Sequence, residues 1–126
     1  MTLRNPIGRA RGVGSAKEGV GHHWSTVVTA VALVPLSLWF VISLIGLHGA
    51  DYAAFKAWLS GPFNATMFVL TILVVVYHAQ LGVQMVVEDY VHGKGIKFAT
   101  LVGIKLGAAF LAVFMTVSVL KVAVGV

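Results

Sequence analysis

Three long apolar stretches dominate the chain, each bounded by polar or glycine-rich segments. The first runs from about Trp24 to Leu47 and holds no charged residue. The second runs from about Phe63 to Val87 or Glu88, and its apolar part is likewise uncharged. The third runs from about Phe98 to Leu120 and holds one charge, Lys105. Each exceeds the ~20 residues that cross ~30 Å of hydrocarbon at 1.5 Å rise per residue. In lipid only helices and closed barrels satisfy their own backbone groups, and stretches of this length are helical. The pattern therefore predicts an all-α membrane protein with three transmembrane helices, at about 24–47, 63–88 and 98–120. Pro35 is a candidate bend in the first helix, where a neighbour can supply the freed partner.

The intervening segments read as loops. Residues His48 to Pro62 carry Asp51, Lys56 and Trp58, and Gly61-Pro62 punctuates the start of the second helix. Residues Asp89 to Lys97 carry His92, Gly93, Lys94 and Gly95, whose glycines end that helix. Residues 1–21 hold Arg4, Arg9, Arg11, Lys17 and Glu18 among five glycines. They read as a polar, irregular tail that orders against a partner or a lipid surface. The organisation is a 1–21 tail and a 22–126 three-helix anchor domain, with no internal repeat and no soluble domain.

Composition agrees. Of 126 residues, 59% are hydrophobic and 10% are charged, against about 25% charged in soluble domains. Cysteine is absent, which excludes disulfides, zinc–thiolate sites and iron–sulfur ligation within these residues. The formal charge of +5 suggests nucleic acid, but the basic residues cluster in the tail and one loop, where they set topology. No nucleic-acid partner is expected. The first 20 residues lack the apolar core of a secretory signal. With the N-terminus inside, Arg4, Arg9, Arg11, Lys17, Lys94 and Lys97 are cytoplasmic, against Lys56 and Lys121 outside. That six-to-two bias predicts a cytoplasmic N-terminus and a periplasmic C-terminus.

The candidate chemistry lies on the second helix. His78 falls inside the span, where an ionisable residue is costly and is by default a functional candidate. Asp89 follows eleven residues later, close to three full turns, so the two share a face roughly 16 Å apart along the axis. Gly82 and Met85 share that face, and Gly82 leaves room beside His78 for a planar cofactor. Three readings of His78 are open. It ligates haem through a neutral nitrogen, it hydrogen-bonds a Ser, Thr or carbonyl of another helix, or it lies on a proton path. No other histidine is placed as a second axial ligand, so a bis-histidine haem requires a partner chain. Tyr90 is either a phenol donor to a quinone carbonyl, with Asp89 beside it, or an aromatic-belt residue.

Other features have plainer readings. Lys105 snorkels toward an interface or meets a lipid phosphate or haem propionate. Gly103 and Gly107 form a Gly-x-x-x-Gly pair that permits close helix contact. Trp24, Tyr52 and Trp58 fit interfacial belts, and Trp39 fits packing.

The pattern His78, ten residues, Asp89-Tyr90, in the second of three helices, resembles the small D-type membrane anchor subunits of succinate dehydrogenase, respiratory complex II. The run Gly14-Ser15-Ala16-Lys17-Glu18-Gly19, then His22-His23-Trp24 and Thr29 to Leu36, is similar to the alphaproteobacterial and mitochondrial-like members. The resemblance covers essentially the whole chain. It implies that His78 is an axial ligand of haem b, with the haem iron as its metal and the other ligand from a larger C-type cytochrome b anchor. It implies that Tyr90 hydrogen-bonds ubiquinone with Asp89 alongside. It also implies an iron–sulfur subunit and a flavoprotein subunit as partners, at a bacterial inner membrane, and no complete active site in this chain alone. One departure stands out: Val27 occupies the position where relatives carry an arginine for a haem propionate, which moves that contact to His22, His23 or the partner. A fumarate reductase-type anchor, a small transporter or proton-conducting subunit using His78 and Lys105, and a structural assembly helper are the rival readings.

Overall fold

The computed structural model describes residues 15–126 and contains four helices: α1 (Ser15–Gly46), α2 (Tyr52–Leu59), α3 (Pro62–Tyr90) and α4 (Lys94–Val124). Among the described residues no strand is present. The membrane-length segments are Gly19–Gly46, Pro62–Tyr90 and Lys94–Val124, of 28, 29 and 31 residues. At 1.5 Å per residue they span roughly 42–46 Å, enough to cross the hydrocarbon core and reach both headgroup regions. The three helices outrun the apolar stretches because intrahelical bonds continue into the polar flanks, where water tolerates Lys94 or Glu88.

Two expectations change. The irregular reading of the tail does not extend past Ser15, because α1 already includes Ser15–Gly21. The rest of the tail, including Arg4, Arg9 and Arg11, lies outside the described residues. The segment between the first two spans is not a plain loop, since it holds α2. Asp51 caps that helix, its carboxylate accepting a hydrogen bond from the Ala54 N–H at 2.8 Å. Such a cap satisfies an N–H that the first turn otherwise leaves unpaired. Pro35 lies within α1, which continues unbroken past it.

The helices form a row with α3 in the middle. α3 packs against both α1 and α4, and α1 and α4 do not pack against each other among the described residues. α2 closes one end by lying against α3 and α4. There Leu59 is the most deeply buried side chain, 1% exposed. Trp58 stacks on Trp39 (5.8 Å) and Phe55 (6.1 Å) and meets Phe68 edge-on (6.4 Å). Trp58 is therefore drawn into packing and is not a free belt residue, while Tyr52 and Trp24 are exposed. At α4's end Gly125 is left-handed (φ 83°), a conformation glycine adopts without the Cβ penalty.

The rest of the surface is apolar. α4 has no buried residue, and Val31, Ile42, Ile45, Leu106, Phe110 and Val113 all stand exposed. In water so much contiguous apolar surface is untenable; it suits lipid tails or further helices. Several hydroxyls inside the spans are satisfied locally, although that of Thr116 on α4 is shielded without a partner among the described residues. Thr26, Thr71, Thr100 and Ser118 each donate to the carbonyl four residues back, which avoids the cost of an unpaired group in hydrocarbon.

Candidate functional site

The site is built on α3 at membrane depth. His78 is half-buried and turns its Nδ1 to α1, 2.8 Å from the Thr29 hydroxyl. Thr29 is 8% exposed, and its oxygen also lies 2.7 Å from the Ser25 carbonyl and 3.1 Å from that of Thr26. The interhelical bond anticipated for His78 is thus present, but it occupies one ring nitrogen only. Nε2 takes part in no hydrogen bond among the described residues. The two readings of this histidine are compatible, because imidazole has two nitrogens with separate partners.

One turn beyond His78 the surface is open. A Cβ placed on Gly82 meets nothing within 4 Å, so the space foreseen there exists within this chain. Asp89 and Tyr90 are exposed at the end of α3, Tyr90 at 78%. The Tyr90 hydroxyl makes no hydrogen bond among the described residues. The structure therefore brings His78 and Thr29 together, and leaves Asp89 and Tyr90 at the helix end without a pocket from this chain. No group of three or more His, Cys, Asp or Glu side chains that could hold a metal ion occurs among the described residues.

The helix end itself is tied down. Lys97 donates from Nζ to the Glu88 carbonyl at 2.9 Å, placing a cation at the negative end of α3's backbone dipole. His92 Nδ1 lies 3.1 Å from the Tyr90 carbonyl. These contacts hold the backbone that presents Asp89 and Tyr90.

Among the grooves beside α3, two lie on opposite faces, since Tyr77 on one and Val75 on the other are about 200° apart around the helix. The larger, about 510 Å³, is bordered by Thr29, Tyr77, Gln80, Lys105 and the small Ala108 and Ala112. The smaller, about 320 Å³, lies among Leu33, Phe40, Phe68, Ile72, Val75 and Met115. Lys105 thus borders a groove, and it shares no hydrogen bond with His78 among the described residues. Gly103 and Gly107 are not a close-contact seam within the chain, because an added Cβ at either meets nothing within 4 Å.

A polar ladder escaped the sequence reading. Gln80, 8% exposed, donates to Gln84 (2.9 Å), which donates to Glu88 (2.8 Å). Its four-residue spacing was the available signal, since residues four apart stack on one helix face. Thr29 had no such local signal. His22 on α1 carries a fully shielded Nε2 without a partner, and it lies seven residues, about two turns, from Thr29 on the same face. A buried donor or acceptor left unpaired is costly, and among the described residues nothing meets this nitrogen.

Three apolar helices in a row, with lipid-facing side chains and a polar pair at membrane depth, define an integral membrane protein of three spans. Residues 1–120 match the family described as succinate dehydrogenase/fumarate reductase transmembrane subunit. The chain is 32% identical over 118 residues to the succinate dehydrogenase hydrophobic membrane anchor subunit of Rickettsia bellii, covering 93% of this chain and 94% of that one. It is 34% identical over 112 residues to that of Paracoccus denitrificans (89% and 87% covered) and 36% identical over 87 residues to that of Rickettsia conorii (68% of each). No solved structure matches significantly. The chain belongs to the family of succinate dehydrogenase hydrophobic membrane anchor subunits.

Proposed function

We propose that this chain anchors a succinate:ubiquinone oxidoreductase in a bacterial inner membrane, with its N-terminus in the cytoplasm and its C-terminus in the periplasm. It holds the flavoprotein and iron–sulfur subunits to the bilayer. It shares a haem b with a C-type cytochrome b anchor, supplying His78 as one axial ligand, and it contributes Tyr90 and Asp89 to the ubiquinone reduction site. The observation that carries this reading is the His78 ring, half-buried at membrane depth with Nδ1 engaged by Thr29 and Nε2 unengaged.

The residues present fit haem. A ligating histidine ordinarily gives its other ring N–H to a second partner, which orients the ring and raises its basicity. Thr29 is such a partner. The open surface at Gly82 admits a flat ring beside the imidazole, and the exposed apolar faces of α1 and α3 leave its other side to a neighbouring subunit. A propionate that Val27 cannot meet is left to His22, His23 or the partner anchor. Bound haem b supplies one-electron redox chemistry at this depth. At the helix end the Tyr90 phenol donates a hydrogen bond to a quinone carbonyl and polarises it, and Asp89 orients that hydroxyl. The Lys97–Glu88 contact holds the backbone beneath them. The remainder of the pocket comes from partner chains.

The test is a reduced-minus-oxidised visible spectrum of the complex purified through this chain, wild type against His78→Ala, with the copurifying subunits identified. The expected result is a b-type signal lost or displaced by the substitution, with flavin and iron–sulfur subunits present. A wild type without haem or soluble subunits overturns the proposal.

A further inference from the structure

We infer that Thr29 is the positioning residue for His78, fixing the imidazole with its proton on Nδ1 and its lone pair on Nε2. The inference rests on the haem reading above and assigns a role to a residue of a different helix. Thr29 Oγ1 has three polar neighbours: the Ser25 carbonyl at 2.7 Å, the Thr26 carbonyl at 3.1 Å and His78 Nδ1 at 2.8 Å. A hydroxyl carries one proton and two lone pairs, and a carbonyl only accepts. Directed to Ser25, the proton relieves the closest oxygen–oxygen approach. The hydroxyl then has only lone pairs left for His78, so Nδ1 must be the donor. The reverse arrangement, with Thr29 donating to Nδ1, leaves two oxygens 2.7 Å apart with no proton between them.

A neutral imidazole has a single N–H. With it on Nδ1, the Nε2 lone pair is free, which is the form that binds iron. The contact joins positions 49 apart in the chain. It is the only side-chain to side-chain hydrogen bond between helices among the described residues, so it fixes the ring's rotation as well as its tautomer. Thr29 is buried at 8% exposure, which keeps water from replacing the acceptor. A hydrogen bond from Nδ1–H makes the imidazole a stronger electron donor. It therefore favours ferric over ferrous haem.

The experiment compares wild type, Thr29→Val, Thr29→Ala and Thr29→Ser in the purified complex, with subunit content, haem redox titration and the ferric EPR spectrum. Valine keeps the shape and removes the acceptor, alanine removes it without adding a methyl, and serine restores it. We expect Val and Ala to raise the haem midpoint potential and displace the low-spin EPR signal, with Ser near wild type. Haem loss in Val and Ala from complexes that keep all subunits, with haem retained in Ser, supports the same role. Unchanged potential and EPR in Val and Ala overturn it. So does a Ser variant displaced as far as Val, and so does a complex that falls apart in both Val and Ala, which makes Thr29 only a packing contact. Absence of haem in the wild type overturns the haem reading itself. Haem that responds to His78→Ala but not to Thr29→Val overturns this inference alone.

Discussion

Tyr90→Phe separates a quinone role from a structural one, because the structure gives its hydroxyl nothing else to do. Tyr90 is the last residue of α3 and 78% exposed, with no hydrogen bond from its phenol among the described residues. Removing one oxygen there leaves no buried group unpaired, so the folding cost is expected to stay within about 0.5 kcal/mol, the range of surface substitutions. On the function proposed above, the same oxygen donates to a quinone carbonyl in the complex. A hydrogen bond of that kind contributes about 0.5–1.5 kcal/mol net, and more where charge develops on the acceptor. At 1.4 kcal/mol per factor of ten, succinate:quinone reductase kcat/KM is expected to fall roughly tenfold. The assay is steady-state reduction of a short-chain ubiquinone by the purified complex, with the haem spectrum and succinate oxidation by an artificial acceptor as controls. Tyr52→Phe is the matched comparison, since Tyr52 is 67% exposed on α2 at the other end of the bundle, and it should leave the rate unchanged. Quinone reduction within twofold of wild type in Tyr90→Phe refutes the assignment. So does an equal loss with the artificial acceptor, which places the defect upstream of the quinone.

The remaining predictions concern packing and space. Leu59→Ala empties the most buried position, at the junction of α2 with α3 and α4; three lost methylene equivalents at ~0.8 kcal/mol each, plus a residual cavity, come to about 3 kcal/mol. Thermal unfolding of the complex in detergent should show a clear fall in midpoint, and a change under about 0.5 kcal/mol refutes the packing argument. Gly82→Leu meets nothing within the chain, so the subunit should still insert and hold its partners, with a reduced haem-to-flavin ratio. Full haem content in that variant moves the haem away from the Gly82 face.

The three spans and the spacing of His78, Asp89 and Tyr90 were legible from one dimension, and lipid is the reason. Where the solvent offers no hydrogen bonds, a long apolar run must be a helix, and a helix turns eleven residues into nearly three turns. The resemblance to the family was legible from linear pattern too, because it rests on short runs, Gly14 to Gly19, His22-His23-Trp24 and His78 to Tyr90, within the three-span layout. Other features were not. α2 was read as loop because eight residues are too few for a periodic signal, and its formation depends on the Asp51 cap and on Leu59 and Trp58 finding α3 and α1. The Gly103/Gly107 pair suggested close contact, yet a small residue only permits an approach that packing elsewhere did not make.

A membrane protein of three helices with a histidine at depth can be read from the order of residues alone. Local composition decides that, because each helix satisfies its own backbone in lipid. Which nitrogen of that histidine is occupied, and by what, follows from the packing of the helices. Thr29 and His78 belong to different helices, and no local periodicity links them. The meeting of α1 and α3 sets the pair, through side-chain packing that apolar pattern alone does not specify.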